Sequence, residues 1–346
     1  MGTVHLTVLH PSRFLRPASF MSERTPPSPA FREAFLAAAG ERMAMRFDRF
    51  VELALYHPRC GYYTATRKRV GREPGTDFFT STSSGPLFGE LIASACVSLL
   101  PCDPAQVTFV ELGAEPEAAI LKEAPHPFRA IEVRPLGASL GLSGRLAVFS
   151  NELLDAQPFR RFVVRNRRWV ECGVALTEQG HLEEVDWPSA GEPWLPDPGE
   201  DGTRFDAPRA AAELVAAVGR GDWKGLFVAV DYGKSFPQLA GECPGGTARA
   251  YWRHTQHNDL LDRPGEQDLT VHVCWDWIAE SLVAAGFSDP RLESQEAFLM
   301  HHAGTAIERL LKEDGGKRGP RSRSLLQLLH PANMGQAFQV IWALRS

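Results

Sequence analysis

Val107–Ile120, VTFVELGAEPEAAI, is the stretch whose reading decides the fold. VTFVEL is a short apolar run of the kind that forms a buried strand, Gly113 is a turn residue, and EPEAAI reads as the first turns of a helix. An apolar strand that stops at a glycine and runs into a helix is how α/β proteins build a ligand crevice. There the strand's carboxyl end, the free amides of the turn and the positive helix end converge. About twenty residues further on, RAIEV (Arg129–Val133) ends a second apolar run with Glu132, at the spacing where an acid meets a ribose. The plainer alternative is an ordinary βαβ turn with a solvent-facing glutamate.

Further apolar runs at Leu146–Ser150 and Gly225–Val230 extend the pattern. Strands alternating with helical or looped material imply a mostly parallel sheet covered on both faces. AFQVIWAL near the end of the chain is a strong strand, suited to an antiparallel edge. Ala30–Gly40 and Arg46–Tyr56 are helical by composition and periodicity, and GELIASACVSLL is an apolar helix. Between them lies a long loop rich in glycine, serine, threonine and aromatic residues, the composition of a packed lid. FRRFVVRNRRWVECGVAL (Phe159–Leu176) alternates around Asn166-Arg167 as a β-hairpin does, and residues 186–208 read as a surface loop. Trp275–Gly286 and Ala297–Glu313 are amphipathic helices.

The chain of 346 residues carries a formal charge of −5, which argues against general nucleic-acid binding. Its six cysteines are scattered without a CxxC pair, as reduced thiols of a cytoplasm-like compartment are. No apolar run reaches the length of a membrane span, so no membrane insertion is expected. Residues 1–21 read as a disordered leader whose prolines, Pro11 and Pro17, break any targeting helix. Residues 22–85 then form a helical cap and lid, and residues 86–346 form the main α/β domain. That domain carries insertions at about 159–222 and 234–267.

Three apparent motifs fail on spacing. GLFVAVDYGKS has Val228 where a phosphate loop needs glycine, and GLSGR lacks the GxSxG spacing. His301-His302 has no carboxylate or cysteine beside it in sequence and reads as helix surface. SNELLDAQP (Ser150–Pro158) is more informative, because it follows the strand LAVFS and emerges beside the Gly113 turn. If NELLDA begins a helix, Asn151, Glu152 and Asp155 face one pocket. A helix cap with two dipole-compensating acids explains the same residues. Asp231-Tyr232-Gly233 stands at another strand end, and in DLTVHV the residues Asp268, Thr270 and His272 share a face if extended.

Taken together, ELALYHPRCGYY, GTDFFTSTSSGPLFGELIA, VELG, SNELLDAQPF, VAVDYG, GTARAYWRHTQHNDLLDRPGEQDLTVHV, SQEAFL and HPANMGQAFQV resemble the MidA methyltransferases. These are relatives of the mitochondrial complex I assembly methyltransferase. The resemblance implies a Rossmann-like class I fold and S-adenosylmethionine as cofactor. It also implies a protein substrate, with arginine the acceptor known in the mitochondrial relative. On its terms Glu152 grips the guanidinium, Asn151 and Asp155 shape the pocket, and His272 accepts a proton. Glu111, Gly113, Glu132, Asp77 and Thr80 then stand on the cofactor side. Where the family carries ELGxGxG, this chain reads ELGAEPE, with Glu115 and Glu117 at the other two glycine positions, and its segment between Glu132 and Asn151 is short. A second reading follows, in which a degenerate relative keeps the fold and acts as a binding or assembly partner.

Overall fold

The computed structural model describes residues 24–64, 86–253, 255–313, 319–330 and 335–346. The leader and the lid positions Asp77 and Thr80 lie outside them. The chain opens with α1 (Pro29–Ala39), β1 (Ala44–Arg46), α2 (Phe47–Tyr56) and α3 (Pro86–Leu99). β2 (Thr108–Leu112), β3 (Ala130–Arg134) and β4 (Ser143–Asn151) come next. β5 (Arg160–Arg165), β6 (Arg168–Leu176), β7 (Leu182–Trp187) and β8 (Arg204–Ala207) precede α4 (Arg209–Gly219) and β9 (Asp222–Asp231). Short elements follow: β10 (Gly233–Lys234), α5 (Phe236–Gly241), β11 (Arg249–Trp252), β12 (Thr255–His257), β13 (Asp268–Thr270) and β14 (Val273–Cys274). The chain closes with α6 (Trp275–Ala284), β15 (Phe287–Ser294), α7 (Gln295–His302), α8 (Gly304–Glu313), α9 (Pro320–Leu329) and β16 (Gln339–Arg345).

The central sheet has six strands in the order β15-β16-β9-β4-β2-β3. β9, β4, β2 and β3 run parallel, with Val110 opposite both Glu132 and Val148, and Phe149 opposite Val228. β16 is antiparallel to β9 but does not lie at the edge, because β15 pairs with its far side. Alternation along β9 shows how both faces are used. Leu226, Val228 and Val230 pack with α3, α7, α8 and α9, while Phe227 and Ala229 pack with α4 and α6. A strand buried on both faces must be apolar at every position, which is why these runs were legible.

One residue of β9 cannot carry a side chain. Gly225 has φ +130, and a Cβ there would lie 2.1 Å from the Leu146 carbonyl oxygen on the neighbouring strand. Gly225→Ala is expected to cost on the order of 3 kcal/mol, since only backbone movement relieves the clash. Urea denaturation of the variant checks this, and a loss below about 1 kcal/mol would show that β4 yields easily.

A second sheet pairs β1-β6-β5-β8, with β7 on β6. The turn Asn166-Arg167, both residues at positive φ, joins β5 to β6 as antiparallel neighbours. α1 and α2 cover this sheet through Phe31, Phe47, Phe50 and Val51, and Phe47 meets Phe159 with ring centroids 5.6 Å apart. Two expectations need correction here. Residues 186–208 are not loop throughout, since β7 ends at Trp187 and β8 pairs with β5. The helix expected over Ala297–Glu313 is two helices, broken where Ala303 caps α7 ahead of Gly304.

Candidate active site

β2, β4 and β9 deliver their carboxyl ends to one rim of the sheet. At the end of β2, Gly113 adopts φ +79 and its N–H donates to the Arg134 carbonyl at 2.8 Å. A Cβ at Gly113 would lie 2.6 Å from Leu153 Cδ1, so glycine keeps the turn open against the next loop. The helix expected after it is absent. Only a 3₁₀ turn, Pro116–Ala118, forms before β3. Local propensity loses to two tertiary contacts at Ile120. Its N–H donates to the Glu111 carboxylate at 2.9 Å, and its carbonyl sits against α3, 2.0 Å from where a Cβ on Gly89 would stand. No α-helix therefore follows β2 to bring its positive end to this turn.

Glu111 thus lies 3 % exposed beneath the turn, with burial pushing its carboxyl up to about 7 against a weaker opposing effect from the Ile120 amide. An acid whose folded pKa is raised loses stability as pH climbs from its unfolded value near 4.5 to about 7, because the unfolded chain ionises first. Glu111→Gln keeps an acceptor for Ile120 and is expected to remove that slope, gaining on the order of 3 kcal/mol above pH 7. Denaturation curves at pH 5 and about pH 8 for both proteins check it, and parallel losses in the two would assign the slope elsewhere.

Glu132 is at the exposed surface of β3, where its carboxylate pairs with Arg134 at 2.5 Å. The two glutamates expected to crowd this turn face solvent. Glu115 is exposed, and Glu117 has an 88 % exposed side chain that pairs with Lys122.

The stretch after β4 is a turn, not the helix that NELLDA suggested. Asn151 ends the strand, and Glu152 adopts φ +50, a left-handed conformation that interrupts helical continuity. The Glu152 N–H donates to the Val230 carbonyl at 2.9 Å, and Asn151 Nδ2 donates to Glu152 Oε1 at 3.0 Å. Asp231 takes over the amides beyond. Its Oδ2 accepts from Leu154 N at 2.9 Å and Asp155 N at 3.2 Å, and its Oδ1 accepts from Tyr232 N at 2.9 Å. A non-glycine residue held in this region costs of order 1–3 kcal/mol and persists where its surroundings fix it.

Asp155 lies 4 % exposed inside that turn. Burial raises its carboxyl to about 6, although a hydrogen bond with the Tyr232 hydroxyl works the other way. Asp231 is fully buried and is raised well above the usual carboxylate range, first by burial and then by the charge of Asp155. Two buried carboxyls in electrostatic contact cannot both ionise cheaply, so the pair holds a proton more readily than either would alone.

Sequence reasoning did not single out the aromatic wall. Tyr56 donates to the Ala156 carbonyl at 2.6 Å and stacks on Tyr63 with centroids 5.6 Å apart. Both hydroxyls are raised by burial and then by Asp268 and Asp155, which places them around the same acidic group. Their signal in sequence was the run ELALYHPRCGYY, but only the packing of α2 against the second sheet brings it here.

His272 stands elsewhere than expected. β13 stops at Thr270, Val271 donates its N–H to the Asp155 carbonyl at 2.9 Å, and His272 follows outside the strand. Its ring meets Tyr232 edge-on at 5.6 Å and lines a hollow whose walls do not include Glu152. Burial, then Lys234 and Arg249, lower its pKa to about 4, so it is neutral at pH 7. His301 and His302 also differ from expectation. Both contact Glu293, at 2.6 and 2.9 Å, a carboxylate that β15 carries back to α7. All six cysteines are free, and no helix among the described residues is long and apolar enough to cross a membrane.

The fold is an α/β sheet of mostly parallel strands resembling S-adenosylmethionine-dependent methyltransferases, with the carboxyl ends of β2, β4 and β9 at one rim. Residues 131–290 match the family model described as "Putative S-adenosyl-L-methionine-dependent methyltransferase". A crystal structure from Burkholderia thailandensis, described as a candidate methyl transferase bound to S-adenosyl-homocysteine, is similar at 25% identity. Its TM-score is 0.78, and the match covers 93% of this chain and 95% of that one. A native crystal structure of an uncharacterised protein from the same organism is similar at 24% identity and a TM-score of 0.76, with the same coverage. A search of curated proteins finds no match.

Proposed function

We propose that the chain is an S-adenosylmethionine-dependent methyltransferase of the MidA type whose acceptor is the guanidinium of a protein arginine. The observation that carries this reading is the acidic group at the carboxyl ends of β4 and β9, in which the half-buried Glu152 stands over the buried Asp155 and Asp231, with Tyr56, Tyr63 and Tyr232 around Asp155. The residues present suit the cofactor. Gly113 leaves open the turn that a side chain would close against Leu153, and Glu132, in the middle of the neighbouring β3, carries an exposed carboxylate paired with Arg134. The S-adenosyl-homocysteine bound in the similar Burkholderia protein supports this choice. Glu115 and Glu117 point outward, which answers the bulk that their side chains would otherwise bring.

When bound, the cofactor supplies an electrophilic methyl group. The chain's own residues supply the rest. A guanidinium is always protonated in water and is a poor nucleophile, so it must be oriented and relieved of a proton. Glu152 is suited to grip it through paired charge-assisted hydrogen bonds, and Asn151 fixes the carboxylate from behind. Asp155, poised near 6, takes up the released proton. The tyrosines exclude water and hold the planar group in line.

The test measures thermal stability of the full chain with S-adenosylmethionine, then methyl transfer to an arginine-bearing protein extract followed by amino-acid analysis. Ligand at 100 times Kd is expected to stabilise by about 2.7 kcal/mol. Absence of both stabilisation and transfer would overturn the reading. Label recovered on lysine or a small molecule would overturn only the acceptor.

A further inference from the structure

Beyond the His272 ring lies a hollow of about 750 Å³, walled by Arg161, Arg204, Lys234, Thr247, Arg249 and His272. Most of its charges are already matched. Arg161 holds Asp206 at 2.7 Å, and Arg204 holds Glu184 at 2.9 Å. Arg249 is different: among the described residues it makes no ion pair, and its Nη1 donates only to the carbonyls of Gly246 at 3.3 Å and Ala248 at 2.7 Å. Lys234 reaches, among the described residues, only the half-exposed Glu242, at 3.5 Å.

Among the described residues, Thr247 and His272 each bring to this wall a buried polar atom without a partner. Thr247 is 4 % exposed and its Oγ1 makes no hydrogen bond, and neither does His272 Nδ1. Leaving such a group unsatisfied costs about 1–3 kcal/mol, and orphans of this kind mark a place that water or a ligand completes. The wall is also rigid. Asp206 accepts from the amides of Thr247 and Ala248, both at 2.8 Å, clamping the chain just before β11. The lowered pKa of His272 shows that Lys234 and Arg249 both act on the same space. A guanidinium, an ammonium and a hydroxyl facing one hollow want an acceptor of negative charge. Glu183, Glu184 and Glu242 also line it, so a second negative charge on the ligand would be repelled.

We propose that this hollow is a carboxylate subsite, in which Arg249, Lys234 and Thr247 hold the side chain of an acidic residue neighbouring the methylated position of the acceptor. The carboxylate binding stands on the hollow itself, while its place in acceptor choice rests on the methyltransferase reading. The link between them is short, because His272 contacts Tyr232, whose hydroxyl bonds Asp155.

The experiment follows the His272 ring signals of the full chain by NMR during titration at constant ionic strength, with no cofactor present. The probes are acetate, a blocked Gly-Glu-Gly peptide and its Gln counterpart. The expected result is saturable perturbation by acetate and tighter binding of the Glu peptide. Arg249→Gln and Thr247→Val should each weaken both by at least about tenfold, with the remaining spectrum confirming the fold. Non-saturating shifts, or equal response in Arg249→Gln, would overturn the subsite. Saturation by acetate without binding of the Glu peptide would overturn its role in acceptor choice, and equal binding of the Gln peptide would overturn carboxylate selectivity. Carboxylate binding in a protein that proves to transfer no methyl group would leave the subsite standing and remove the activity alone.

Discussion

Glu152→Gln is expected to lower methyl transfer by about 10²–10⁴-fold while leaving the fold and cofactor affinity unchanged. The substitution keeps the size of the side chain and an oxygen that can accept from Asn151 Nδ2, so the turn at φ +50 has no new reason to move. What disappears is the charge. A neutral amide cannot compensate the guanidinium, and it offers one acceptor where the carboxylate offers two. The deficit should fall on kcat/KM with cofactor Kd unaltered, separating the acceptor side from the Gly113 turn. Transfer within threefold of the original protein would take Glu152 out of the mechanism.

Asp231→Ala carries the second large effect, here on stability: a loss of about 3–5 kcal/mol, the sum of several buried amides left without an acceptor. Three N–H groups lose their partner at once, those of Leu154, Asp155 and Tyr232. The gain from deleting an unfavourably buried carboxyl offsets part of this, and Asp231→Asn, which retains one acceptor, should cost less than half as much. Urea denaturation orders the three proteins. If the alanine variant unfolds at the original midpoint, β4 and β9 hold the turn through strand pairing alone.

The parallel core was readable because double burial writes itself as unbroken apolar runs. The runs ending at Leu112, Val133, Ser150 and Val230 overlap β2, β3, β4 and β9, which close at Leu112, Arg134, Asn151 and Asp231. β15 was not readable for the opposite reason. FSDPRLES is polar, contains Pro290, shifts register between Ser288 and Arg291, and is a strand only because β16 offers a partner. Both expected helices at the crevice failed alike. Ile120 gives its amide to the Glu111 side chain, and Leu154 and Asp155 give theirs to Asp231 on another strand, side-chain acceptors that backbone propensity does not register. Asn151, Glu152 and Asp155 stand in one turn rather than on the helix face expected of them, and the residue that organises the turn sits on another strand. Tyr56 and Tyr63 could not be placed until the order of two sheets was known.

The pairing of Met45 with Val174 also dictates a schedule for the growing polypeptide. The early strand has nothing to join until β6 has left the ribosome, and contacts this far apart in sequence close slowly. A chain released before that point leaves Phe47 and Phe50 facing water, an oily signature that quality-control machinery can read. The tyrosines of the N-terminal segment then meet Asp268 only once that residue has been synthesised, and the central sheet waits longer still, because β16 at the end of the chain fills the place between β9 and β15.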